Sequence, residues 1–136
     1  KFLETPMVIC HKYRSKANVI DEMRIIGDVA GKNVIILDDM IDTAGTIASA
    51  AALLGKRGAI DVVVAATHGV LSGPAVDRLK NSKIDKVVVT NTLPLPSEKQ
   101  FDKVEVLSLA PAIAKAIRAV FEDNSVSEIF DGENLS

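Results

Sequence analysis

Short continuous apolar runs and stripes of helical period take turns along this chain, and the changes of rhythm predict its elements. Val34-Ile35-Ile36-Leu37 is apolar throughout and three of its four residues are β-branched, which suits a strand buried on both faces, as in a parallel sheet covered by helices. Asp61 to Ala66 and Lys86 to Thr90 repeat the pattern, and Val104 to Leu107 is a shorter version. Between the first two runs, Ile47, Ala50, Ala51 and Leu54 fall at i, i+3, i+4 and i+7. That spacing places them on one face of a helix, with Gly58 as its C′ residue. A second helix is predicted near Gly73 to Lys80. A third runs from Ala110 to Phe121, with Ile113, Ile117, Val120 and Phe121 as its inner face and Pro111 where a missing N–H is harmless. Strand, helix, strand, helix, strand is the α/β alternation, a mostly parallel twisted sheet flanked by helices with right-handed crossovers.

The first thirty residues read differently. Met7 to Cys10 is a short apolar run, His11-Lys12-Tyr13-Arg14-Ser15-Lys16 is polar and basic, and Val19 to Ile26 returns to mixed apolar and charged residues before Gly27. The prediction is an N-terminal hairpin whose tip carries a flexible basic loop, with Cys10 as a small core residue. Asn124 to Ser136 is mainly polar and reads as a surface tail that packs only in part.

Composition adds limits. A chain of 136 residues, 48% apolar and 25% charged, reads as a single domain with a buried core. A net charge of −2 leaves no basic footprint for nucleic acid, which favours a small ligand. One cysteine permits no internal disulfide and suits a reducing cytoplasm. No apolar run approaches the roughly 18 residues of a membrane span. The chain starts at Lys1 without Met, and the expectation is a piece of something longer.

The chemistry concentrates at Asp38-Asp39-Met40-Ile41-Asp42-Thr43-Ala44-Gly45-Thr46. Acids at a strand end often cap the following turn. Here, however, they precede a loop with two hydroxyls, a glycine that admits close backbone approach and an alanine without bulk, just before a helix N-terminus. A phosphate monoester fits such a loop. Carboxylates beside it can accept hydrogen bonds from vicinal hydroxyls or hold hydrated Mg²⁺. The combination describes a sugar-phosphate site. Neither a Walker A loop nor a GxGxxG fingerprint is present. His68 follows a strand and precedes a glycine, and is assigned no chemistry.

Those nine residues resemble the ribose 5-phosphate and PRPP signature of the type I phosphoribosyltransferase fold, in the form found in ribose-phosphate diphosphokinases (PRPP synthetases). Thr67 to Ala75, Val88 to Thr92, and Ser125-Val126-Ser127 with Phe130 resemble further segments of that family in the same order, so the likeness runs from Pro6 to Phe130. The resemblance implies transfer of pyrophosphate from MgATP to the 1-hydroxyl of ribose 5-phosphate, giving PRPP and AMP for nucleotide biosynthesis. It makes Asp42, Thr43, Ala44, Gly45 and Thr46 the 5-phosphate loop, and Asp38 and Asp39 the partners of the ribose hydroxyls and of Mg²⁺. Lys12 and Arg14 become catalytic residues on a closing loop that usually reads Lys-Arg-Arg and here carries Tyr13 in the middle. Residues i and i+2 of an extended segment share a face, so Lys12 and Arg14 can point together while Tyr13 points away. Ser125, Ser127 and Phe130 would belong to a regulatory site.

The same resemblance implies a cytoplasmic homo-oligomer, a hexamer in the parent protein. Residues 1–136 would be a C-terminal domain portion, without its first strand and without the family's N-terminal domain, and poorly active alone. Two alternatives stay open: a phosphoribosyltransferase that consumes PRPP, and a non-catalytic regulatory relative of the synthetase.

Overall fold

The computed structural model describes residues 5–13 and 22–130. First along the chain is an antiparallel ribbon, β1 (Ile9–Tyr13) against β2 (Glu22–Ile26), with Ile9 opposite Ile26 and Tyr13 opposite Glu22. The hairpin is as expected, but its first strand begins and ends later than the apolar run did. Pairing with β2 carries the backbone of His11, Lys12 and Tyr13 into the strand, because ladder hydrogen bonds are made by the backbone whatever the side chain. The start expected for the second strand, 19–21, lies outside the described residues. Cys10 is exposed and not part of the core, although partial desolvation raises its thiol pKa. Ile25 is the buried residue of β2, and this strand packs on the first helix of the main body. After Gly27, Asp28 accepts the Ala30 N–H at 3.1 Å and the Lys32 ammonium at 3.1 Å, and these bonds hold its carboxyl below the ordinary value.

The main body follows as β3 (Val34–Ile41), α1 (Gly45–Lys56), β4 (Val62–Gly69), α2 (Ala75–Lys80), β5 (Lys86–Thr90), β6 (Val104–Leu107) and α3 (Ala110–Phe121). Short 3₁₀ turns lie at Ser97–Lys99 and Val126–Phe130. β3, β4, β5 and β6 form one parallel sheet in sequential order. Register aligns Ile36, Val64, Val87 and Val104 in a row across it. Paired residues share a face, and on this face Val62, Val64, Val87 and Val89 are buried with Leu54, Leu79 and Ile84. Ile47, Ala50, Ala51 and Leu54 form the buried face of α1, as their spacing predicts. The helix ends in a Schellman arrangement: Ala59 N donates to Leu54 O at 3.1 Å and Gly58 N to Gly55 O at 3.0 Å. Gly58, at φ +86°, takes the left-handed turn that an L side chain resists.

Two expectations about burial are corrected. β3 is buried on one face, not both: Val34 and Ile36 pack on the core, whereas Ile35 is 55% and Leu37 70% exposed. The strand is at the edge of the sheet, and nothing among the described residues covers its second face. The apolar stripe of α3 is likewise exposed, with Phe121 at 85% and Ala119 the residue that is buried. This helix packs chiefly on the 3₁₀ turn that follows it. Periodicity reports that a helix has an apolar side, and the covering partner must come from elsewhere.

Candidate functional site

Two carboxylates alternate in direction because β3 continues through them to Ile41. Asp38 is paired with Ala66 and shares a face with Met40, which is paired with His68. After Ile41, which is fully buried, the chain leaves the sheet. Asp42, Thr43 and Ala44 then cross from the strand to the first turn of α1. Ala44 is the N-cap at φ 59°, ψ 8°, a left-handed conformation in which its methyl side chain supplies no capping hydrogen bond. No acidic residue occupies the first turn of the helix. The amides that open α1 therefore have no acceptor within the helix, and the dipole there favours an anion.

A cleft of about 170 Å³ opens over this junction, lined by Asp38, Met40, Asp42, Thr43, Ala44, Gly45, Thr46 and Ile47. Six residues expected from the sequence are thus together: Asp38, Asp42, Thr43, Ala44, Gly45 and Thr46. Asp39 is adjacent in sequence but does not line the cleft, as expected for the neighbour of Asp38 on a strand. The two acids also make local bonds. Asp38 Oδ1 accepts the Asp39 N–H at 2.9 Å, and Asp39 Oδ1 accepts the Met40 N–H at 2.8 Å. Both bonds run to the next amide within β3 and leave each carboxylate further acceptor positions.

Behind the cleft, the segment that follows β4 grips the loop. Leu71 N donates to Ile41 O at 2.9 Å and Ser72 N to Asp42 O at 3.1 Å. The Ser72 hydroxyl also bonds the Asp42 carboxylate, and Arg78 Nη1 on α2 donates to Thr43 O at 2.9 Å. Farther along, Ala48 N closes on Ala44 O at 3.0 Å and the Ser49 hydroxyl on Gly45 O at 3.0 Å. Each carbonyl from Ile41 to Gly45 thus has a donor. Ser72 and Arg78 were not expected from the sequence, being 30 and 35 residues from their partners. The available signal was topological: loops at the carboxyl ends of adjacent parallel strands are neighbours.

The other expected residues are not all described. Lys12 is on β1 opposite Met23, where its backbone is described, and Arg14 lies outside the described residues. Ser125 Oγ accepts the Ser127 N–H at 3.2 Å in the turn that ends at Phe130, and that turn packs on α3. Neither serine lines the cleft. His68 Nδ1 is 2.8 Å from Thr92 Oγ1, a partner that gives this half-buried ring a structural role. Among the described residues no group of three or more His, Cys, Asp or Glu is placed to hold a metal. The hard oxygens of Asp38 and Asp42 at the cleft fit Mg²⁺ of the kind that keeps its waters and takes one or two carboxylates plus substrate phosphate. No helix among the described residues is long and apolar enough to cross a membrane.

Comparison with known proteins places this geometry in context. The profile of a family described as the phosphoribosyl synthetase-associated domain matches residues 7–131. The chain is 56% identical over 131 residues to a ribose-phosphate pyrophosphokinase of Streptomyces avermitilis, covering 95% of this chain and 40% of that protein. It is 54% identical over 128 residues to the protein of that name from Caldanaerobacter subterraneus subsp. tengcongensis, covering 94% and 40%. Among solved structures, phosphoribosylpyrophosphate synthetase from Mycobacterium smegmatis superposes with a TM-score of 0.77 at 52% identity, over 88% of this chain and 38% of the other. The chain thus spans about 40% of the length of the curated relatives it matches. The expected placement at the carboxyl-terminal end of the parent gains no support from these matches.

Proposed function

Because the chain belongs to the phosphoribosyl synthetase-associated domain family, we propose that it is the ribose 5-phosphate-binding part of a ribose-phosphate pyrophosphokinase. The observation that carries the reading is the cleft in which Asp38 stands over the Asp42–Thr46 loop at the start of α1. The loop amides and the hydroxyls of Thr43 and Thr46 take the 5-phosphate. Asp38 takes ribose hydroxyls; Asp39, on the opposite face of the strand, is left out of this role. Mg²⁺, when bound, would neutralise charge on the transferring phosphates, and Asp38 and Asp42 at the cleft would hold it together with substrate oxygens and water.

In the reaction the C1 oxygen of ribose 5-phosphate attacks the β-phosphorus of ATP. The bond from that phosphorus to the oxygen bridging it to the α-phosphorus breaks, AMP leaves with that electron pair, and the hydroxyl proton is lost. Such a transfer needs positioning and charge stabilisation more than covalent help. Lys12 and Arg14, two apart in sequence, carry the positive charge that suits the non-bridging oxygens. The nucleotide pocket then belongs to the share of the relatives' length that this chain does not span, and the segment is one domain of a larger homo-oligomeric protein. Ser125, Ser127 and Phe130 are assigned to regulation of that assembly.

Calorimetric titration tests the cradle. Ribose 5-phosphate should bind, unphosphorylated ribose should bind at least tenfold more weakly by the rough worth of charge-assisted bonds, and Asp38→Asn should weaken the sugar phosphate while sparing inorganic phosphate. Equal affinity for ribose and ribose 5-phosphate would remove the proposal.

A further inference from the structure

The geometry points to Arg78 as a positioning residue that sets the direction of the phosphate-loop amides from behind, without lining the cleft. This rests on the reading of the Asp42–Thr46 loop as an anion cradle. In a trans peptide the carbonyl and the next N–H point in opposite directions. Arg78 Nη1 holds the Thr43 carbonyl at 2.9 Å, so the Ala44 N–H is turned away from α2. Ser72 N does the same one residue earlier, holding the Asp42 carbonyl at 3.1 Å and turning the Thr43 N–H. Residues 71–78 do not line the cleft, whereas Asp42 to Ile47 do. The two amides are thus turned away from the segment that does not line the cleft, and both belong to residues that do.

The Thr43–Ala44 peptide is the joint between two rigid elements. Before it, Ile41 is buried and its carbonyl is bonded to Leu71 N at 2.9 Å. After it, Ala44 O is already part of the helix through Ala48 N at 3.0 Å. Flipping the joint peptide would aim a carbonyl oxygen at a bound anion and replace attraction by repulsion. Ala44 lacks a side chain able to cap, and its left-handed φ of 59° is strained for an L residue. The brace has to come from elsewhere, and Arg78 supplies it. Gly45 makes room for it: a Cβ built there would stand 3.3 Å from Arg78 Nη1. A side chain at this position would thus push the guanidinium back by a few tenths of an ångström.

Arg78 is exposed, so a competing account is that its charge merely attracts anions, an effect that salt screens. The two accounts separate in the whole protein when Kd for ribose 5-phosphate and for inorganic phosphate is measured at low and at about 0.5 M salt, a regime where the screening length falls to a few ångströms. Arg78→Ala should raise both Kd values about tenfold, in line with the loss of a charge-assisted bond, and the ratio to wild type should persist at high salt. In the ligand-free protein the Ala44 amide resonance should shift, and Arg78→Lys, which keeps a donor, should recover part of the affinity. Arg78→Met, which keeps the length of the side chain and removes the donor to the Thr43 carbonyl, serves as the second variant if Arg78→Ala does not fold, and should weaken phosphate in the same salt-independent way. Unchanged Kd in a folded Arg78→Ala, or a deficit that vanishes at high salt, overturns the assignment. Wild-type protein that binds phosphate but not ribose 5-phosphate would remove the proposed function alone. Binding of neither would remove both.

Discussion

Ala44 carries the backbone strain of the site. Its φ of 59° lies where L residues are held at a cost of about 1–2 kcal/mol, and it is buried against the core, so the loop conformation is imposed by its surroundings. Ala44→Gly should therefore raise unfolding stability by up to about 1 kcal/mol, the strain relieved less the extra chain entropy of glycine. Ala44→Val should lower it by more than about 1 kcal/mol, since a branched Cβ tolerates this region worst. Urea midpoints of the two variants check both signs. Asp38 and Asp39 show what residue type alone can and cannot say. Two acids beside a hydroxyl-rich loop were readable as sugar-phosphate chemistry. That only Asp38 faces the cleft follows from β3 continuing to Ile41, which extends strand alternation through the pair.

Elements divide by whether their apolar stripe finds a partner within the chain. α2 is short, yet Leu79 on it is wholly buried. Leu79→Ala should cost about 2–5 kcal/mol by removing packed methyl groups and leaving a cavity. On α3, by contrast, Phe121 is 85% exposed, and Phe121→Ser should change stability by no more than about 0.5 kcal/mol. Chemical denaturation of the 136-residue chain separates the two. The same contrast explains which elements were legible. α1, β5, β6 and α3 occur where run length and period placed them, because local pattern decides whether a helix or a strand forms. The burial expected for α3 and for the second face of β3 was not met, because burial depends on a neighbour and the pattern carries no information on who that neighbour is. β1 was shifted for a related reason, its register being decided by pairing with β2.

At the scale of the molecule, an edge strand whose apolar second face, Ile35 and Leu37, stays uncovered among the described residues suits a segment that works with more chain. The segment spans about 40% of the relatives' length. As an isolated chain it should bind ribose 5-phosphate yet release AMP from ATP and ribose 5-phosphate at a negligible rate in a coupled assay, and light scattering should not give a hexamer. Robust turnover would place the nucleotide pocket within these residues. By itself the sequence determined the α/β class, the positions of most elements and the gathering of acids and hydroxyls at the end of β3, since each depends on residues close together in the chain. Tertiary structure alone decided which carboxylate faces the cleft, which apolar faces stay uncovered, and that Ser72 and Arg78 reach back to hold the loop. Those facts depend on parallel strands bringing distant loops together, and hydrophobic periodicity does not encode that meeting.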